Sequence, residues 1–156
     1  MREFRKNTFI SDNGTVKSFS LRASALIVVG NKYLMVLNEG AKKYKHPGGH
    51  VHINESLLEG LKRELKEEVG LKIETANTEE LFFDSLFKDG SMMINTLFQI
   101  EISLEEAEEI ISNSPMKTKL FTLEELNDQN TWESEIEAIK YYQGSTLGKQ
   151  PENPYN

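Results

Sequence analysis

Residues 49–71 read GHVHINESLLEGLKRELKEEVGL, and their pattern organises the chain around one loop and one helix. Ser56, with Glu59 three residues later, spells a capping box. Leu57, Leu58, Leu61, Leu65 and Val69 then recur at helical spacing, and Gly70 suits the left-handed position just past a helix. On that helix Glu64, Glu67 and Glu68 stand at i, i+3 and i+4, so three carboxylates share one side beside the stripe of Leu57, Leu61 and Leu65. Two like charges about 6 Å apart at an effective dielectric near 20 repel by roughly 3 kcal/mol. A single Arg63–Glu67 helical pair returns only about 0.3–0.5 kcal/mol. A divalent ion among the carboxylates would remove the conflict, and an oxygen-only donor set suits Mg²⁺ or Mn²⁺ with phosphate oxygens and water completing the shell. The competing reading is a solvated acidic helix face, the commoner meaning of a bare Glu-x-x-Glu-Glu.

Outward from this segment, Gly40 to His46 is a loop carrying Lys42, Lys43 and Lys45, closed by Pro47-Gly48-Gly49. Ser24–Val29 and Tyr33–Asn38 are β-rich runs split by the turn signal Gly30-Asn31. Residues 8–20 predict an N-terminal hairpin about Asp12-Asn13-Gly14. On the far side, Leu71–Thr75, Leu81–Phe87 and Met92–Ile102 read as strands. Ser103 and Glu106 predict a second capping box, opening an acidic helix to about Ile111. Thr122 to Glu125 predicts a short helical turn, and Asn130 or Thr131 is expected to cap a last helix to about Tyr142. Residues 143–156, with Gly144, Gly148, Pro151 and Pro154, read as a tail. Hairpins with few helices predict a single α/β (α+β) domain over 1–142, a mixed sheet covered by helices.

The whole chain has 156 residues with 38% hydrophobic and 28% charged, enough for one proper core. With no cysteine there is neither a disulfide framework nor thiolate chemistry, which fits a reducing, cytoplasmic setting. No stretch reads as a signal peptide or transmembrane span, so no membrane partner is expected. The net charge of −7 argues against a nucleic-acid groove driven by counterion release. An acidic protein that handles polyphosphates needs a cation to mediate the contact.

The order Gly49, five residues, Glu55, seven residues, Arg63-Glu64-Leu65-Lys66-Glu67-Glu68-Val69-Gly70-Leu71 resembles the Nudix box at every specified position. A chance match in a chain of this composition is roughly one in a million. Pro47-Gly48, the hairpin strands before it and Lys119 to Leu126 extend the resemblance to about residues 20–142. The resemblance implies a Nudix-type α/β/α sandwich with a loop–helix–loop site. It implies Glu64, Glu67, Glu68 and the Gly49 carbonyl as metal ligands, with Glu64 and Glu67 catalytic. Glu55 and Arg63 would pair to support the helix. The expected cofactor is Mg²⁺ or Mn²⁺, which would neutralise a diphosphate, polarise the phosphorus and lower the pKa of an attacking water. The implied activity is hydrolysis of the phosphoanhydride bond of a nucleoside diphosphate linked to another moiety. A capped RNA end is the one nucleic-acid substrate left open. The alternative is a catalytically idle, nucleotide-sensing domain; diphosphate isomerase chemistry of the kind that needs a cysteine is excluded.

Several positions depart from the resembled pattern. His52 stands where an acid is frequent and Asn54 where Gly is frequent, though Asn tolerates positive φ. Gly60 replaces the usual Ala at about 1 kcal/mol of helix propensity. Many relatives place a glutamate a few residues before the Leu120-Phe121 position, whereas Ser112 to Lys117 contains no carboxylate. Proton removal then falls to Glu64, to water activated directly by the ion, or to Glu101, Glu105, Glu106, Glu108 or Glu109; the first two are favoured. His46, His50 and His52 cluster in sequence, but zinc wants more protein ligands than this segment offers. Lys45, His50 and His52 are candidate substrate contacts. Lys42, Lys43 and Lys45 would steer an anion or simply form a solvated loop. Tyr44, Phe82, Phe83 and Phe87 are candidate base-stacking rings, with core packing favoured for the phenylalanines.

Overall fold

The computed structural model describes residues 7–8, 18–74, 77–86 and 91–146. Strands β1 (Asn7–Thr8), β2 (Ser18–Val29), β3 (Lys32–Leu37) and β4 (Gly48–His50) precede helix α1 (Leu57–Val69). After it come β5 (Asn77–Leu86), β6 (Ser91–Glu101), α2 (Leu104–Asn113), β7 (Lys117–Phe121), a 3₁₀ turn (Leu123–Glu125) and α3 (Glu133–Thr146). The sheet runs β5-β6-β2-β3-β7, with β1 and β4 pairing onto β2. β2 lies parallel to β6 along its whole length and antiparallel to β3 and β4. The sheet is therefore mixed, as the sequence predicts.

β2 is apolar on both faces because both faces are covered. Ala23, Ala25, Ile27 and Val29 pack under α1 and α2 with Leu34, Val36, Phe98 and Ile100. Leu26 and Val28 point the other way, with Tyr33, Met35, Leu97 and Phe121, to meet α3 through Ala138 and Ile139. These period-two faces make the expected α/β/α sandwich. α1 is anchored by Leu61 and Leu65, which are fully buried and worth about 1.5–3 kcal/mol each. Both ends of α1 match their signals: Ser56 and Glu59 form the capping box, and Gly70 takes φ +69°.

Four expectations need correction. Leu71–Glu74 form no strand; Leu71 N–H closes the helix end on Leu65 C=O, and Leu71 and Ile73 pack on the core without a ladder. Glu106 returns its carboxylate to the Ser103 hydroxyl, so Ser103 caps α2 without completing the box through its own amide. Neither Asn130 nor Thr131 caps α3. Asn130 Oδ1 accepts from Asn127 N–H, and the Thr131 hydroxyl donates to Tyr44 C=O. α3 also runs past Tyr142 to Thr146, into the expected tail. The antiparallel pairing of Asn7–Thr8 with Ser18–Phe19 suits the predicted hairpin, whose turn lies outside the described residues. Among the described residues, no helix is long and apolar enough to cross a membrane.

Candidate active site

The site is built where strand β4 brings Gly48 and Gly49 against α1. β4 registers Gly48 against Ser24 and Gly49 against Ala23 of β2. A β-carbon on Gly49 would lie 2.5 and 2.7 Å from the two Glu64 carboxylate oxygens. The glycine is what allows that carboxylate to rest on the main chain. Gly60 has a related reason: a β-carbon there would press to 3.3 Å from Val51 Cγ2. Asn54 holds φ +69°, so the loop keeps the left-handed turn that its sequence tolerates.

Arg63 is the hub of the outer half. Its Nε and Nη2 donate to Glu55 at 2.7 and 3.0 Å, a two-bond fork. Nη2 also donates to His50 C=O at 2.9 Å. Nη1 donates to Glu64 at 2.8 Å and to Glu67 at 3.4 Å. Glu55 in turn accepts from His52 N–H at 2.7 Å. Through these bonds Glu55 and Arg63 tie the loop to the helix. The Arg63 guanidinium holds the Glu55 carboxyl down from 4.5 to about 2, against a smaller opposing effect of burial and with help from His52 N–H. The same hydrogen bond keeps Arg63 firmly protonated.

This pair sets an acid limit. Because the folded carboxyl is depressed, its stabilisation is fully present above about pH 4.5 and is lost as pH falls through about 2. Glu55→Gln is expected to lower the urea midpoint at pH 7, with the deficit shrinking steadily between pH 5 and pH 2. Parallel denaturation curves in chelator check this, and a deficit that is constant with pH counts against it.

The inner half surrounds Glu68, which is buried. Its Oε1 accepts from Gly48 N–H at 3.1 Å and from Lys45 Nζ at 3.3 Å, while Oε2 has no partner. Burial pushes this carboxyl above the usual range, opposed by Lys45 and the Gly48 amide. An unpartnered buried carboxylate oxygen is costly, and a hard divalent ion is a group that would satisfy it. Glu64 lies against Gly49, Glu67 stands exposed at the rim, and all the donors are hard oxygens, a set that suits Mg²⁺ or Mn²⁺. Among the described residues, no three acidic or histidine side chains yet converge as a ligating group. Arg63 and Lys45 divide the carboxylates between them.

Lys45 is not part of a solvated loop. Its neighbour Tyr44 packs edge-on to Phe121 at 4.9 Å on the opposite face, so Tyr44 is a core ring and offers no free stacking face. Lys43 lies over the Trp132 ring at 4.2 Å, and Lys42 is exposed. The three histidines do not gather. His46 is buried, its ring nitrogen meeting Glu135 C=O at 3.1 Å. His50 ends β4, and exposed His52 lies beyond it in the loop, 3.7 Å from Glu55. His50 and His52 therefore do not lie on one strand. Side chains of Phe82 and Phe83, and all of Phe87, lie outside the described residues.

The loop that lacks a glutamate lies directly on the site helix, where Met116 N–H donates to Glu68 C=O at 3.1 Å. Glu101, Glu105, Glu106, Glu108 and Glu109 are all exposed. Glu106 is engaged by Ser103. Among the described residues, none of the five pairs with a box side chain.

Comparison with known proteins agrees with the fold. The family model described as NUDIX domain matches residues 19–142. A MutT NUDIX hydrolase from Burkholderia pseudomallei superposes with a TM-score of 0.61 at 19% identity, over 78% of this chain and 96% of that one. A NUDIX hydrolase from Nitrosomonas europaea gives 0.62 at 19%, over 81% and 89%. A UDP-X diphosphatase gives 0.63 at 20%, over 83% and 63%. At these identities the superpositions establish the fold alone. No protein of curated function matches in sequence. The matched span takes in both core faces, the Gly48-Gly49 turn and all of α1, and the chain belongs to the Nudix domain family.

Proposed function

We propose that this chain is a metal-dependent pyrophosphohydrolase that cleaves the phosphoanhydride bond of a nucleoside diphosphate linked to another moiety. The observation that carries this reading is Glu68: a buried carboxylate with one free oxygen, set beside Glu64 at a glycine turn. Members of this family are hydrolases of small nucleotide-linked substrates and generally use divalent metals. The resemblance to a UDP-X diphosphatase supports including nucleotide-linked diphosphates among the substrates tested.

Glu64, Glu67 and Glu68 would hold the ion, with the Gly49 carbonyl, and the bound ion would supply charge neutralisation of the diphosphate and activation of water. Arg63 keeps Glu64 and Glu67 oriented, and Glu55 keeps Arg63 in place. Proton removal would fall to Glu64 or to water activated directly by the ion, and His50 and His52 would contact the substrate.

A panel of nucleoside triphosphates, nucleotide sugars, ADP-ribose, NADH, dinucleoside polyphosphates and capped RNA, with Mg²⁺ or Mn²⁺, tests the reading. Turnover of at least one diphosphate that stops in chelator is the expected result. Divalent ion binding without turnover of any of them would favour a nucleotide-sensing domain instead.

The same assay decides the proton acceptor. Alanine at Glu101, Glu105, Glu106, Glu108 or Glu109 is expected to leave kcat within about threefold, well below the roughly 10²–10⁴ that a general base contributes. A hundredfold loss at one of them, with stability and metal affinity unchanged, would make that residue the base.

A further inference from the structure

The most deeply buried charge pair of the site is one that ion binding by carboxylates does not itself require. Lys45 and Glu68 are 7% and 6% exposed. The Lys45 ammonium donates to Glu68 Oε1 at 3.3 Å and to Gly48 C=O at 2.8 Å, while Gly48 N–H donates to the same Glu68 oxygen at 3.1 Å. Ammonium, carboxylate oxygen, amide and carbonyl thus close one small ring. A carboxylate and a main-chain carbonyl around a compact cation are also part of the shell that a hard divalent ion takes. Lysine carries such a compact charge on a flexible four-carbon stem that can swing aside.

We propose that Lys45 is a resident cation of this site, neutralising Glu68 when no ion is bound and competing with the divalent ion for that carboxylate. This rests on the divalent-ion reading given above. In the ion-free protein the ammonium offsets the repulsion between Glu68 and Glu64 and fixes the Gly48 turn. An incoming ion must share Glu68 with it or displace it, so Lys45 holds affinity below what the carboxylates alone would give. Lys45 is a positioning residue in this role: it acts through Glu68.

Lys45→Met keeps the apolar stem and removes the charge. Calorimetric titration with Mn²⁺, in the absence of nucleotide, is expected to show binding about tenfold tighter or more than in the wild-type protein, since the positive charge 3.3 Å from Glu68 Oε1 is gone. In chelator the variant is expected to melt below wild type, with the gap narrowing at saturating Mn²⁺. Equal or weaker Mn²⁺ affinity in the folded variant overturns the proposal. If Lys45→Met does not fold, amine acylation of the wild-type protein, read by mass spectrometry, decides instead. Lys45 is expected to react faster with saturating Mn²⁺ than in chelator, and an unchanged or slower rate overturns the proposal. Wild-type protein that binds no Mn²⁺ removes the divalent-ion reading and this inference together. Normal wild-type binding with no gain in Lys45→Met removes the inference alone.

Discussion

Glu67→Gln is expected to lower kcat by about 10³-fold or more while leaving the fold intact. The two halves of that statement rest on different observations. Glu67 is the most exposed of the three box carboxylates, and its contact with Arg63 is a long one at 3.4 Å. An exposed i,i+4 pair of this kind is worth about 0.3–0.5 kcal/mol, so its loss barely moves the urea midpoint. The amide keeps the shape of the side chain, so packing is unaffected. What changes is the donor: a neutral amide oxygen replaces a charged carboxylate at the rim where, on the proposed function, a diphosphate and its ion would meet. Glu64→Gln would be a poorer test, because Glu64 also accepts a 2.8 Å bond from Arg63 and lies against Gly49. Measured kcat on the substrate found by the panel, beside a denaturation curve, separates the outcomes. Near-normal turnover in a folded Glu67→Gln protein would move the chemistry away from this helix.

The reasons that Glu67 and its helix could be read in advance are local ones. Ser56, Glu59 and Gly70 mark the helix ends through contacts that span three to five residues, and apolar spacing fixes which side is buried. Asn54 advertises its left-handed turn by residue type alone. The two-faced core of β2 and β3 follows equally from alternating apolar runs. The misreadings arise where a short-range signal was taken up by a distant partner. Leu71 and Ile73 alternate as a strand would, yet they pack on a core without a neighbouring ladder. Asn130 and Thr131 have the chemistry of helix caps, but Asn127 and Tyr44 use those groups first. Lys45 looked like one of three loop lysines, and its pairing with Glu68 spans 23 residues. That contact exists only after β4 has docked α1 against β2. Of the three carboxylates that helical spacing sets on one side, Glu64 and Glu67 meet Arg63 and Glu68 meets Lys45.

The adjoining glycines of β4 are expected to fail in opposite ways when replaced by alanine. At Gly48 the φ is +148°, and an added β-carbon would run into Ala23 C=O and the Ser24 main chain. Backbone atoms in a paired strand cannot step aside, so Gly48→Ala carries overpacking of about 1–3 kcal/mol together with backbone strain of similar size. A loss of several kcal/mol is a large part of the stability of a small domain, and poor folding is the expected result. At Gly49 no positive φ is involved, and the obstacle is the Glu64 carboxylate at 2.5 and 2.7 Å. A carboxylate on a side chain can rotate away at little cost, so Gly49→Ala should fold with a urea midpoint close to wild type. The displaced Glu64, however, no longer rests at the turn, and a misplacement of about 1 Å is enough to lose roughly 10²-fold in rate. Gly49→Ala is therefore expected to be stable, weakened in Mn²⁺ binding and about a hundredfold slower, whereas Gly48→Ala is expected to be unstable at any metal concentration. Comparing melting curves, Mn²⁺ titrations and kcat for the two variants checks both. A Gly49→Ala protein with wild-type kcat and metal affinity would mean that contact between Glu64 and the glycine main chain plays no part in the site.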